Sequence, residues 1–331
     1  MTAAGEVLVT GAAGFIGRHT VAALHRAGYG VTAVDLRPAP GHLVRSARWR
    51  RGDFADPALL SEVAAGRYEA VLHQGGISDT RAVAGPELEE TNTLGPLRLA
   101  EACRSGGTRL VYASSHSVYG TLRHRAPVAE EADEDRDRCS GPLNPYAWSK
   151  LALDRQMRER FGDGLDWVGL RYTNVFGPDE DDKGPMASIL SQLLRQAADR
   201  GRVRVFDDSL TAARDYIPVE TVAATLVLLA RRGVPAAVYN LGAGHAVSFA
   251  EVVQWCARLY REAGGGPLQV RLVPNPVTAA YQYYTCADMT AFDKALPDRP
   301  TVAPPDVEAR ATELFEVLRR TEPGTMPAST S

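Results

Sequence analysis

Directly after its first apolar run, Val7-Leu8-Val9, the chain reads Thr10-Gly11-Ala12-Ala13-Gly14-Phe15-Ile16-Gly17 and passes straight into an amphipathic segment, residues 18–27. A short buried strand, a turn with three spaced glycines and a helix constrain this chain more than any other stretch. The glycines permit a tight turn and let backbone approach a ligand closely. The N–H groups of such a turn, together with the helix N-terminus, suit a pyrophosphate. The spacing is GxxGxxG rather than GxGxxG, so its meaning comes from the strand–loop–helix context.

Strand and helix patterns keep alternating after this start. Apolar runs at residues 31–34, 70–73, 109–112 and 167–171 are separated by helical stretches near 57–65, 87–103 and 146–161. A βαβ series predicts a parallel sheet. The expected fold class is α/β: a Rossmann-type, doubly wound parallel sheet with a smaller C-terminal α/β substrate domain. Residues 1–175 with about 213–245 are assigned to the dinucleotide-binding part, and about 176–212 with 246–320 to the substrate part. Beyond Gly177, helices are expected over 186–198, 219–231, 249–260 and 307–320, and strands over 203–206 and 238–241. Ser248-Phe249-Ala250-Glu251 is a capping-box start. Residues 121–143 read as a solvated excursion, and the tail from Glu322 as frayed.

Composition narrows the function classes. With 45% hydrophobic and 23% charged residues, the 331-residue chain is neither disordered nor fibrous. A net charge of -3 with mixed signs argues against nucleic-acid or anionic-membrane partners, and the cluster Arg45, Arg48, Arg50, Arg51 reads as solvated. Cys103, Cys139, Cys256 and Cys286 show no zinc spacing, so no metal site is expected. No run approaches the ~18 apolar residues that span a bilayer. The first strand begins too early for a leader, and the expected location is the cytoplasm.

Asp35 ends the second strand, where a carboxylate accepts hydrogen bonds from ribose hydroxyls. That favours NAD, while Arg37, two residues on, suits a 2′-phosphate and leaves NADP open. Asp53 has two readings, an adenine contact or a helix cap.

Only three of the 37 basic residues are lysines: Lys150, Lys183 and Lys294. Where a cation merely solubilises, arginine serves as well; only lysine readily gives up its proton. Lys294 reads as ordinary surface. Lys150 follows Tyr146 by one helical turn, so its ammonium can lower the phenol's pKa and make it a usable base. Ser115, at the end of a parallel strand, can hold the reacting oxygen beside Tyr146. Lys183 lies in a Gly/Pro/Asp-rich loop, where its plainer reading is an ion pair with Asp179, Asp181 or Asp182.

The glycine loop, Asn92, the strand-end serine and Tyr146/Lys150 resemble the extended short-chain dehydrogenase/reductase superfamily over nearly the whole chain. Several stretches are similar, more narrowly, to the ADP-L-glycero-D-manno-heptose 6-epimerases: His73-Gln74-Gly75-Gly76-Ile77-Ser78, Val111-Tyr112-Ala113-Ser114-Ser115, Pro142-Leu143-Asn144-Pro145-Tyr146, Arg171-Tyr172-Thr173-Asn174, Lys183-Gly184-Pro185-Met186-Ala187-Ser188 and Tyr281-Gln282. The resemblance implies an epimerase that oxidises C6 of a nucleotide-activated heptose with tightly bound NAD(P)+ and returns the hydride to the other face. Tyr146 and Lys183 would then be the acid/base groups for the two orientations. It further implies cofactor contacts from Gly11, Gly14, Phe15, Ile16, Gly17, Asp35, Leu36, Asp53, Gln74, Gly75, Asn92, Tyr146 and Lys150. Substrate contacts would come from Ser78, His116, Asn174, Val175, Gln192, Phe206, Ser209, Arg214 and Tyr281. Arg214 is the diphosphate partner on this reading, with a salt bridge to Asp215 as its alternative. The implied assembly is a homo-oligomer and the implied ligand a nucleotide sugar, ADP-heptose.

The chain also departs from that pattern. Pro185 replaces a usual serine, Gln192 a substrate-holding histidine and Thr173 a usual aromatic. His116 reads either as a sugar contact or as a packed wall. Epimerisation at C3 or C4 is therefore the main alternative. A 4,6-dehydratase would want an acid where His116 and Ser117 stand, and a non-catalytic dinucleotide sensor would not need Tyr146, Lys150 and Lys183 together.

Overall fold

Val7 and Val9 of the first strand point to one side and Leu8 to the other, and all three are fully buried. A strand apolar on both faces must be covered on both, as in a parallel sheet flanked by helices. The computed structural model, which describes residues 4–133, 135–278 and 281–321, shows that arrangement. The expected tail from Glu322 lies outside the described residues.

The first half runs β1 (Ala4–Thr10), α1 (Phe15–Arg26), β2 (Tyr29–Asp35), β3 (Arg48–Arg51), α2 (Pro57–Ala64) and β4 (Ala70–His73). It continues with α3 (Pro86–Glu89), which passes through a π-helical segment (Glu90–Leu94) into α4 (Gly95–Gly106), then β5 (Arg109–Ser115), α5 (Pro145–Arg160) and β6 (Trp167–Tyr172). A small-sheet strand, β7 (Asn174–Phe176), α6 (Ile189–Arg200), β8 (Arg202–Phe206) and β9 (Ala213–Pro218) follow. After α7 (Val219–Arg231) the chain returns to the large sheet as β10 (Ala237–Leu241). It ends with β11 (Ala246–Ser248), α8 (Phe249–Glu262), β12 (Gln269–Val273), α9 (Thr290–Ala295) and α10 (Pro304–Arg320).

Seven strands form the large sheet in the order β10-β6-β5-β4-β1-β2-β3, every neighbouring pair parallel. The chain winds outward from β1 through β2 to β3, then crosses back to β4 and winds the other way. That reversal puts a crevice at the C-terminal ends of β1 and β4, the place where such folds bind ligands. One face is packed by α1 and α7, the other by α2, α4 and α5.

Several elements escaped the sequence reading. The arginine cluster contributes β3, because alternate charges at a sheet edge are paired: Arg48 with Glu6 at 2.7 Å and Arg50 with Glu62 at 2.7 Å. The short strands β7, β9 and β11 form a second sheet, with β9 in its centre, and β12 pairs with β8 in a third. Residues 213–218 thus belong to the small sheet rather than the large one.

Behind the crevice lies a buried charge network. Arg171, fully buried on β6, meets the carboxylates of Asp133 and Asp154, the latter at 2.8 Å, and takes further bonds to the Tyr119 hydroxyl and the Glu130 carbonyl. Asp154 also accepts from Tyr112 and Ser114. A buried charge satisfied this fully costs little to keep but much to break, about 3–5 kcal/mol on loss of one partner. It clamps α5 to the sheet at the level where α5 carries its functional side chains.

Candidate active site

The glycine loop has the geometry its spacing implies. Gly11 adopts φ +67°, and a Cβ there would stand 2.4 Å from the Gly75 nitrogen, so the turns after β1 and β4 touch because Gly11 is bare. A Cβ at Gly17 would come within 2.0 Å of the Gly11 carbonyl oxygen. Gly14 precedes α1 and offers no capping side chain, which leaves the helix's first N–H groups for a ligand. Phe15 and Ile16 turn their side chains toward the core, so their contribution to a ligand is backbone.

Asp35 is tied to this loop: one carboxylate oxygen accepts from the Ala13 N–H at 2.9 Å and the other from the Arg37 N–H at 2.8 Å. The Arg37 guanidinium also reaches Asp35, at 3.4 Å, and since a carboxylate has about four acceptor sites, about one remains for a ribose hydroxyl. Leu36 next to it is exposed. Asp53 does not cap α2; that position is held by Asp56, which accepts from Ala58 and Leu59. Asp53 instead makes a turn to the Ala55 N–H and is exposed.

Gln74 accepts a hydrogen bond from the Tyr172 hydroxyl at 3.0 Å, while its buried amide nitrogen has no partner among the described residues. His73, just before it, bonds Thr10 at 2.7 Å, and burial pulls its imidazole down to about 3, with the Lys150 charge adding to the fall. His73 is therefore a neutral wall. Asn92, inside the π-helical turn, spends its amide on the Ile77 N–H and carbonyl and on Ser149. These bonds fix the loop after β4.

Asn144 caps α5 by accepting from the Ala147 N–H at 2.9 Å, and Pro145 opens the helix. Tyr146 thereby falls in the first turn, beside the end of β5, and Lys150 and Asp154 follow one turn apart. Lys150 is buried and donates to the Ala113 carbonyl at 3.0 Å. Burial brings its ammonium down to about 8, opposed by the charge of Asp154. Burial also pushes the Tyr146 phenol above its ordinary value, and a hydrogen bond from Ser115 draws it partway back. The influence that opposes this rise comes from Ser115, while Lys150 turns to a backbone carbonyl.

Sequence reasoning missed what stands behind Ser115. The Ser115 hydroxyl oxygen accepts from the Ser117 N–H at 3.1 Å and from the Ser117 hydroxyl at 2.8 Å. A serine oxygen has two acceptor sites and one proton. With both acceptor sites filled, the proton of Ser115 is free to point at the phenol oxygen, where it favours the phenolate.

Lys183 is 5.3 Å from the centre of the Phe15 ring, over the start of the glycine-loop helix. Its described ion-pair partner is Glu180, at 3.1 Å, a residue the sequence reading passed over. His19 of α1 holds the same loop through the Pro178 carbonyl, at 3.0 Å.

On the other side of the crevice, Arg214 of β9 is buried between the rings of Phe249 and Tyr281, at 5.3 and 5.4 Å. Phe206 meets Tyr281 edge to face at 5.6 Å, and Ser209 bonds the Tyr281 hydroxyl. Five residues from four segments thus form one platform. The salt bridge considered for Arg214 is not made: Asp215 accepts instead from the N–H groups of Ala243, Gly244 and Ala287. Among the described residues Arg214 bonds only the Ala213 carbonyl, at 3.1 Å, and burial lowers its guanidinium. A buried cation without a carboxylate is a site for an anion.

The remaining candidates divide. Asn174 bonds Thr285 at 3.1 Å, and Ser78 is exposed in the loop after β4. Val175 is a core residue paired with Ile217, which corrects its reading as a substrate contact. Gln192 folds back onto the Ala187 and Pro185 carbonyls. His116 is packed against Tyr119, its ring lowered to about 4 by burial, so the wall reading fits. Thr173 points its hydroxyl at Asp215. All four cysteines are buried and free; among the described residues no cluster suits a metal ion and no helix is long and apolar enough to cross a membrane.

A model of the NAD dependent epimerase/dehydratase family matches residues 7–242. The chain is 32% identical over 324 residues to an ADP-L-glycero-D-manno-heptose-6-epimerase of Brachyspira hyodysenteriae, covering 95% of this chain and 98% of that protein. Among solved structures it resembles MoeE5 in complex with UDP-glucuronic acid and NAD, at 32% identity and TM-score 0.76 over 95% of this chain and 99% of that one. It also resembles the Helicobacter pylori ADP-L-glycero-D-manno-heptose-6-epimerase, at 25% identity and TM-score 0.81 over 96% and 98%.

Proposed function

The chain belongs to the NAD dependent epimerase/dehydratase family, as a nucleotide-sugar epimerase of the extended short-chain dehydrogenase/reductase type, and within it we propose an ADP-glycero-manno-heptose 6-epimerase. One observation carries the finer reading: a second lysine, Lys183, stands over the cofactor loop in addition to the Tyr146/Lys150 pair.

The residues present fit a dinucleotide. The close approach of Gly11 to Gly75, the uncapped start of α1, the remaining acceptor capacity of Asp35 and the amide of Gln74, unpartnered among the described residues, are the features that would hold it. When bound, NAD takes up a hydride and gives it back. Everything else falls to side chains. Tyr146, held by Ser115, removes the alcohol proton in one orientation and returns it to the ketone in the reverse direction. Lys183 performs the same exchange for the opposite orientation, which a permanently charged arginine does poorly. Arg214, stacked between Phe249 and Tyr281, holds the diphosphate while the sugar turns, so that the ketone stays in the site.

A second reading, epimerisation at C4 or C3 of a UDP-sugar, is supported by the equal 32% identity to MoeE5, whose solved complexes hold UDP-glucuronic acid and UDP-glucose. Incubation with ADP-D-glycero-D-manno-heptose, UDP-glucose and UDP-glucuronic acid in parallel, read by NMR, separates the two. Inversion at C6 of the heptose is expected. Turnover of only a UDP-sugar overturns the heptose reading. In the heptose assay, Lys183→Arg is expected to lower turnover by about 10² or more, in line with loss of a general acid/base.

A further inference from the structure

Glu180 is nearly sealed from solvent, its side chain 2% exposed, in a loop that otherwise faces the crevice. Its carboxylate accepts four hydrogen bonds. One oxygen takes the Lys183 ammonium at 3.1 Å and the Ser188 N–H at 2.7 Å; the other takes the Ser188 hydroxyl at 3.0 Å and the Ser191 hydroxyl at 2.5 Å. Ser188 in turn caps α6, accepting from the Ser191 N–H at 3.2 Å. The acid is thus anchored to a helix N-terminus, where negative charge is favoured.

The two partners of this ion pair are unequal. Without Lys183, Glu180 keeps three of its four hydrogen bonds. Without Glu180, Lys183 keeps the face of Phe15 among the described residues, its side chain being 30% exposed. The fixed member is the acid and the movable member is the ammonium. An ion pair needed only for stability gains nothing from that asymmetry, because a lysine tether adds little to a carboxylate already held by three donors.

We propose that Glu180 is a positioning residue for Lys183: an anchored carboxylate that holds the ammonium above the cofactor loop and releases it to the reacting oxygen of the substrate. The inference rests on Lys183 being the second acid/base group.

Glu180→Gln keeps the size and removes the charge; its amide oxygen can still accept the Ser188 N–H, while its amide nitrogen donates to the serine hydroxyls in place of accepting from them. The scarcity of lysine makes its effect on Lys183 measurable without turnover. Lys150 is buried and Lys294 exposed, so brief acetylation of the native holoenzyme, quantified by mass spectrometry, reads Lys183 against Lys294 as internal standard. The Lys183/Lys294 ratio is expected to rise about two- to fivefold in Glu180→Gln, the factor that a partly exposed ion pair is worth. Turnover of ADP-D-glycero-D-manno-heptose is expected to fall about tenfold or more in kcat, with KM little changed. Glu180→Asp, which keeps the charge but withdraws it by one methylene, is expected to fall between wild type and Glu180→Gln in both readouts. An unchanged labelling ratio in Glu180→Gln, or a raised ratio with unchanged kcat, overturns the proposal. Failure of the underlying reading looks different: Lys183→Arg would then turn over like wild type, whatever the labelling of Lys183.

Discussion

If Arg214 is the diphosphate partner proposed above, replacing it by methionine separates binding from folding, because among the described residues no carboxylate partners its side chain. In the protein alone the guanidinium has one hydrogen bond, to the Ala213 carbonyl, and two aromatic faces. Methionine gives up two cation–π contacts, worth about 0.5–2 kcal/mol each. It also relieves the burial of a charge that no carboxylate neutralises among the described residues, which offsets a loss of that size. The melting temperature is therefore expected to stay within about 4 °C of wild type. Binding is expected to respond far more strongly. Truncating one side of a buried, hydrogen-bonded charge pair costs about 2–5 kcal/mol, or roughly 30- to 5,000-fold in Kd. Calorimetric titration with ADP and with UDP, beside thermal unfolding of the same samples, gives both quantities. Arg214→Lys keeps the charge but not the planar fork, and is expected to lie between the two. An Arg214→Met protein that binds both nucleotides within threefold of wild type refutes the assignment. So does a variant that melts far below wild type in the absence of nucleotide, since Arg214 would then be a structural cation.

Two further predictions concern protons. Ser117→Ala removes a donor to Ser115, which should weaken the Ser115 bond to the phenolate of Tyr146; the rise of kcat/KM with pH is expected to move upward by about half a unit to one unit, and Ser117→Thr to restore it. An unshifted profile in Ser117→Ala would leave Ser117 outside the proton path. Buried His73 and His116 stay neutral down to about 3 and about 4, whereas an unfolded histidine takes up its proton near 6.5. The unfolded chain then binds more protons over that window, so the stability they confer is present above pH 6.5 and is lost as pH falls toward 4 and 3. Each contributes a slope of up to about 1.4 kcal/mol per pH unit. His73→Asn is expected to flatten the urea-derived slope between about pH 6 and 4 by up to that amount, and an unchanged slope would show that His73 is protonated in the fold.

What could be read from the sequence was what local spacing encodes. Gly11, Gly14 and Gly17 span six residues from end to end; the absence of a side chain at Gly11 lets it meet Gly75, and the absence of one at Gly17 lets α1 pack on Gly11. Tyr146 and Lys150 share one helical turn, and Asn144 and Pro145 mark its start. The apolar runs of β1, β2, β4, β5 and β6 carry their burial in their own composition, because a strand covered on both faces needs no partner to be recognised. Short strands such as β7 and β11, three residues each, hold too few side chains for a period to register.

The residues that escaped were charges whose meaning lies in distant partners. An aspartate at 154 looks like the polar face of a helix until Arg171 arrives from β6 and Ser114 from β5. Arg48 and Arg50 look like solvated surface until Glu6 and Glu62 pair them into an edge strand. Glu180 was hidden among Asp179, Asp181 and Asp182, which share its charge, and what sets it apart is that Ser188 and Ser191 turn their hydroxyls toward it. Arg214 shows the converse. Its neighbour Asp215 offered an obvious partner in sequence, yet three backbone N–H groups claim that carboxylate. Adjacent residues on a strand point to opposite faces, so the i,i+1 pair is the one a β-strand separates. The strand that keeps Asp215 from Arg214 is what leaves a buried cation free for a phosphate.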